Sequence, residues 1–89
     1  MKRVIDGKIY SSFWQDRRNI GGSSIEVTEE DGENRSDVLE IFCKDSSSAL
    51  YLSLFVQNVP VDIVEIAISE ARRRLPDVED PEDCGTHIQ

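Results

Sequence analysis

His87 is the chain's one imidazole, and it stands in C-x-x-H spacing with Cys84. That spacing supplies half of a tetrahedral zinc site. A closed site needs four such ligands, and Cys43 is the one soft donor left. Cys43 falls in an alternating apolar segment, where it reads as filling for the inner face of a strand. Asp77, Glu79, Asp80, Glu82 and Asp83 offer hard oxygen donors that could attract Ca²⁺ loosely. Glu29-Glu30-Asp31-Gly32 lacks the spaced ligands and the terminal Glu of an EF-hand loop. No metal and no cofactor is expected.

Hydrolysis or group transfer needs a nucleophile beside a base, or two carboxylates held at a set separation. His87 sits in an acidic tail that gives it no fixed position. The carboxylates lie in a turn and in the tail, without apolar surroundings to shift their pKa values. The chain therefore reads as a non-enzyme. Gly21-Gly22 is followed by no Lys and leads into a strand pattern, so it is no phosphate loop. Arg17-Arg18 and Arg72-Arg73-Arg74 are the basic clusters, and eighteen acids outweigh them. Direct nucleic-acid binding is not expected, because the local field would have to be basic.

The acids are segregated. Glu26, Glu29, Glu30, Asp31, Glu33, Asp37 and Glu40 form one block around a single Arg35, and the tail forms the second. Residues 1–25 carry five basic groups against two acids, within a net charge of −8. Such a field favours basic partner surfaces and says little about fold.

Eighty-nine residues allow one domain with a thin core. Leu50, Leu52, Leu54 and Val56 alternate with Tyr51, Ser53, Phe55 and Gln57, the period of a strand with an aliphatic inner row. Asp37 to Lys44 alternates likewise, with Leu39, Ile41 and Cys43 opposite Val38, Glu40 and Phe42. A turn at Asp45–Ser48 then pairs Cys43 with Leu50, Ile41 with Leu52, and Leu39 with Leu54. Ser24–Thr28 and Lys8–Trp14 are further strands, and Asp6-Gly7 is a hairpin dipeptide that folds residues 2–5 back as a short edge. A helix runs from about Pro60 to Leu75, with Val64, Ala67, Ile68, Ala71 and Leu75 as its apolar stripe and Ile63 and Ile66 widening it. Asp62 and Glu65 near its start and three arginines near its end suit the helix dipole. The expected fold is α+β: an antiparallel meander of about four strands with one C-terminal helix on one face. Residues 1–76 form that domain and residues 77–89 an acidic flexible tail.

The same register puts Phe42, Tyr51, Val38 and Phe55 together on the sheet's outer face. Either that face is open and pairs with another molecule, or residues 1–20 fold back over it with Phe13 and Trp14. In size and acidity the chain resembles the small phage-borne inhibitors of host defence nucleases, such as anti-CRISPR proteins. The leading expectation is an inhibitor or adaptor whose Glu26–Glu40 block and neighbouring sheet edge engage a basic protein surface, the carboxylates standing in for phosphates. The alternative is a structural or immunity-type module that pairs through Phe42, Tyr51 and Phe55, as a homodimer or with a partner. Two reduced thiols, no signal-peptide run and no apolar span point to a cytoplasmic protein that does not bind membranes.

Overall fold

A computed structural model of the chain describes residues 1–47 and 49–75. The expected tail, with Cys84 and His87, lies outside the described residues. Five strands come first: β1 (Lys2–Ile5), β2 (Lys8–Arg17), β3 (Gly22–Asp31), β4 (Asn34–Lys44) and β5 (Leu50–Leu54). One helix, α1 (Val61–Arg74), follows them. The strands form a single antiparallel sheet in the order β1-β2-β3-β4-β5. This is the expected α+β meander, with the residue 2–5 segment as its first strand.

The turns follow from local chemistry. Asp6 and Gly7 both have positive φ, 52° and 79°, the pattern of a type I′ turn matching the right-handed twist of the strands it joins. Gly32-Glu33 closes the long β3–β4 hairpin between Asp31 and Asn34. The β4–β5 register is the one the alternation dictates: Leu39 opposite Leu54, Ile41 opposite Leu52, Cys43 opposite Leu50.

Two features depart from simple alternation. Val27 pairs with Leu39, but Thr28 pairs with Asp37, so Val38 is an extra residue in β4. Such a bulge breaks the two-residue period. Val38 and Leu39 are consequently both fully buried. Val38 therefore leaves the outer face on which strict alternation placed it. The Phe55 amide still donates to the Val38 carbonyl at 2.8 Å, so the backbone neighbours are as expected while the side chain points inward.

The second departure concerns β5. Leu52 and Leu54 lie on the face that carries Ile41 and Leu39, yet they are 45% and 54% exposed. A helix is about 10–12 Å across with its side chains and strands lie about 4.8 Å apart, so one helix covers little more than two strands. Here α1 packs on β3 and β4. Ile63, Ala67, Ala71 and Leu75 bury against Ile25, Val27, Val38, Leu39, Ile41 and Cys43, joined by Tyr10 from β2. Leu50 and Val56 reach the margin of this core, whereas Leu52 and Leu54 stand clear of it. The buried stripe of α1 is also rotated from the expected one: Ile63 and Glu70 are buried, and Val64 and Ile68 lie at the edge.

The helix starts after Pro60, whose carbonyl accepts from the amides of Ile63 and Val64. Gly22 shows a different constraint. A Cβ there would come within 2.2 Å of the Cys43 carbonyl oxygen and 2.7 Å of the Phe42 ring. Only glycine lets that ring lie across β3.

Leu39→Ala should cost about 2–5 kcal/mol through lost transfer energy and a cavity. Leu52→Ala should cost roughly 1 kcal/mol or less, because only part of its surface is buried on folding. Urea unfolding at low protein concentration separates the two. Equal losses would mean that α1 covers β5.

Candidate partner-binding surface

The seven acids of the Glu26–Glu40 block divide into three groups. Glu26 and Glu40 face each other across β3 and β4, on the outer face away from α1. Like charges directly opposite in a sheet repel. Arg17, near the end of β2, reaches both: its Nη1 lies 3.6 Å from Glu26 Oε2 and closer still to Glu40 Oε2. One cation is shared between two carboxylates. Burial pushes the Glu26 carboxyl above its ordinary range, Glu40 and Asp37 push it further, and Arg17 offsets part of the rise.

Glu29 belongs to the opposite face. It pairs with Lys8 Nζ at 3.2 Å and faces Tyr10 across the β2–β3 ladder. This pairing raises the Lys8 pKa. Burial raises that of Tyr10, and Glu29 adds to it.

The third group is at and near the hairpin tip. Asp31, Glu33 and Asp37 are exposed, and Glu30 is half-buried opposite Arg35. The bulge at Val38 returns Asp37 to the outer face, beside Thr28, where strict alternation would have turned it inward. On β3 the outer-face order is Ser24, Glu26, Thr28, Glu30. Ser24 and Thr28 are buried, and neither hydroxyl has a hydrogen-bond partner among the described residues.

The expected aromatic patch is only partly assembled. Phe42 is half-buried over Gly22, and Val38 is in the core. Tyr51 and Phe55 are exposed by 57% and 54%, near the sheet's β5 edge. Residues 1–20 do not fold over the outer face; they form β1 and β2 and extend the sheet sideways. Phe13 lies on the outer face opposite Glu26, while Trp14 points to the helix side opposite Ile25.

A partly buried polar network joins the helix to β2 and to the amino terminus. Ser12 Oγ donates to Glu70 Oε1 at 2.8 Å and accepts from the Met1 ammonium at 2.8 Å. Arg74 donates to Glu70 Oε2 at 3.0 Å, an i, i+4 pair on the helix. The ammonium is 3.7 Å from Glu70. Burial alone would raise the Glu70 pKa. The Ser12 hydrogen bond, the ammonium and Arg74 outweigh burial and hold it below the usual value of 4.5. An open cleft of about 290 Å³ beside this network is lined by Met1, Glu65, Ile66, Ser69, Glu70 and Arg73. It is small for an organic ligand.

Among the described residues, no group of three or more His, Cys, Asp or Glu is placed to hold a metal. No described helix is long and apolar enough to cross a membrane. Cys43 is buried, with its Sγ 3.5 Å from the Ser47 carbonyl. No family model matches the chain, and no curated protein or solved structure shows significant similarity to it.

The two perturbed carboxylates should act on stability with opposite signs. A carboxyl whose pKa is depressed by folding stabilises the fold above its unfolded pKa, and that contribution is lost as pH falls through the folded value. Glu70→Gln should therefore cost about 1–3 kcal/mol at neutral pH and progressively less in acid. Glu26 has a raised pKa, so its ionisation opposes folding as pH climbs from 4.5 through the folded value. Glu26→Gln should be neutral or stabilising at pH 7. Chemical unfolding of both variants across pH checks this. A neutral-pH loss for Glu26→Gln as large as that for Glu70→Gln would show that the Arg17 bridge outweighs the crowding.

Proposed function

We propose that this chain is a non-enzymatic binding protein, an inhibitor or adaptor, whose β3–β4 hairpin engages a basic surface on a partner protein. The supporting observation is the outer face of that hairpin. Glu26 faces Glu40, Glu30 and Asp37 continue along the same face, and Asp31 and Glu33 extend to the tip. On one face of a strand, alternate residues recur about every 6.7 Å. A paired hairpin thus presents negative oxygens in a fixed line, which suits recognition by Arg and Lys.

Arg17 already bridges Glu26 and Glu40, so the carboxylates left for a partner's cations are Glu30, Asp31, Glu33 and Asp37. The class of partner with a fitting groove is a protein that otherwise holds a nucleic-acid backbone, such as a nuclease. In this reading the chain works in the cytoplasm, and the acidic face gives it no direct affinity for nucleic acid.

The test is capture from the source cell with the chain as bait, read by mass spectrometry, with one charge-neutral variant in parallel. Glu30→Gln, Glu33→Gln and Asp37→Asn together keep the shape and remove carboxylates that are exposed or only half-buried. Capture of a basic protein should be lost or strongly reduced with this variant. Association with the captured protein should slow as salt rises, because the reach of charge falls from ~10 Å at 0.1 M to ~3 Å at 1 M. Equal capture and an equal salt response for both proteins would reduce the acidic face to a solubilising surface.

A further inference from the structure

The two edges of the sheet are not alike. The β1 edge carries Lys2 and Arg3, the kind of charge that blocks strand addition. The β5 edge carries none. Residues 46–61 form the longest uncharged run in a chain with 28 charged residues, the sum of 10 basic and 18 acidic ones. Leu52, Leu54, Tyr51 and Phe55 stand exposed along it. Among the described residues, no strand pairs with the outer side of β5.

Backbone direction can be read as well. The Phe55 amide points to Val38 in β4. Successive residues alternate, so the amides and carbonyls of Leu52 and Leu54 point away from β4. They form an open row of donors and acceptors.

The geometry points to a second copy of this chain as the occupant: two β5 strands pair antiparallel about a two-fold axis at Leu52. Leu52 then faces its own copy, Leu50 faces Leu54, and Tyr51 faces Ser53. Helix-side leucines meet on one face of the joined sheet, and each tyrosine crosses a small serine on the other. Charge favours this pairing. The seam holds no ionised side chain, and antiparallel docking sends the two acidic hairpin tips toward opposite ends of the joined sheet. Two chains of net charge −8 can therefore meet there without opposing their acids.

Tyr51, Leu52, Leu54 and Phe55 are each about half exposed, so the pair forms a small contact, in the class of transient interfaces below about 1,200 Å². The outward hydrogen bonds of Leu52 and Leu54 add to it. This contact is separate from the acidic face, and the Glu30, Glu33 and Asp37 variant should still form it.

The test uses the full chain in light scattering and sedimentation over a concentration series. The unmodified protein should have twice the monomer mass at high concentration. Leu52→Lys and Leu52→Glu should each weaken association about tenfold or more, since like charges would face across the axis. An equimolar mixture of the two should restore it, because residue 52 then meets an opposite charge. Circular dichroism confirms that each variant is folded, which its exposure at position 52 favours. Three results would overturn the proposal. The first is a monomer at all concentrations, even if it captures a foreign uncharged strand. The second is a dimer insensitive to Leu52 but broken at Phe42. The third is variants that weaken association without restoring it when mixed.

Discussion

One helix cannot cover five strands, and most of the surface of this protein follows from that mismatch. With a width of about 10–12 Å over strands about 4.8 Å apart, α1 seals the centre of the sheet and leaves its margins open. The sealed part is β3 and β4, which supply the fully buried Ile25, Val27, Val38, Leu39 and Ile41. Everything lateral to it had to be solved otherwise. On the β2 side, Tyr10 and the Ser12–Glu70 hydrogen bond bring the helix and sheet together. On the β5 side Leu50, Val56 and Val59 pack at the margin of the core, and Leu52 and Leu54 stay half-open.

The bulge at Val38 is the second constraint, and it links the core to the acidic face. Without it, alternation from Leu39 would carry Asp37 to the helix side. The extra residue lets Val38 join Leu39 in the core and resets the phase, so Asp37 emerges on the outer face with Glu26, Glu30 and Glu40. With unbroken alternation Val38 would turn outward and Asp37 would take the helix-side place opposite Glu29 that exposed Ser36 now holds, setting two carboxylates against each other. Asp37 therefore joins the acids of the outer face because the core takes one more apolar side chain from β4 than the two-residue period allows.

Much of this was legible in the residues. The meander, the Asp6-Gly7 turn, the β4–β5 register and the helix from Pro60 to Leu75 follow from period, turn chemistry and dipole placement, which are local. What was not legible depends on neighbours distant in sequence. Leu52 reads as core because it alternates correctly, and alternation reports a face without reporting what covers it. Val38 reads as outward because a bulge leaves no residue signature of its own. Glu70 is buried beside a partner, Ser12, that is 58 positions away in the chain. The acidic block reads as one unit in sequence. In space Glu29 faces Lys8 on one side of the sheet, and Glu26 and Glu40 crowd Arg17 on the other.

The segregation of charge in the sequence thus becomes a segregation across the sheet. Surfaces of like sign repel between two copies, β1 edge from β1 edge and hairpin from hairpin. The β5 segment carries no such charge. Long-range repulsion between acidic hairpins is screened within about 8 Å at physiological ionic strength. A contact at β5 can therefore form in salt while the hairpins of two copies stay apart. The same screening would weaken the proposed steering toward a basic partner. The two proposed contacts would then respond to salt in opposite directions, because salt relieves repulsion at one and attraction at the other. Two surfaces of one small sheet can in this way be told apart by a single variable.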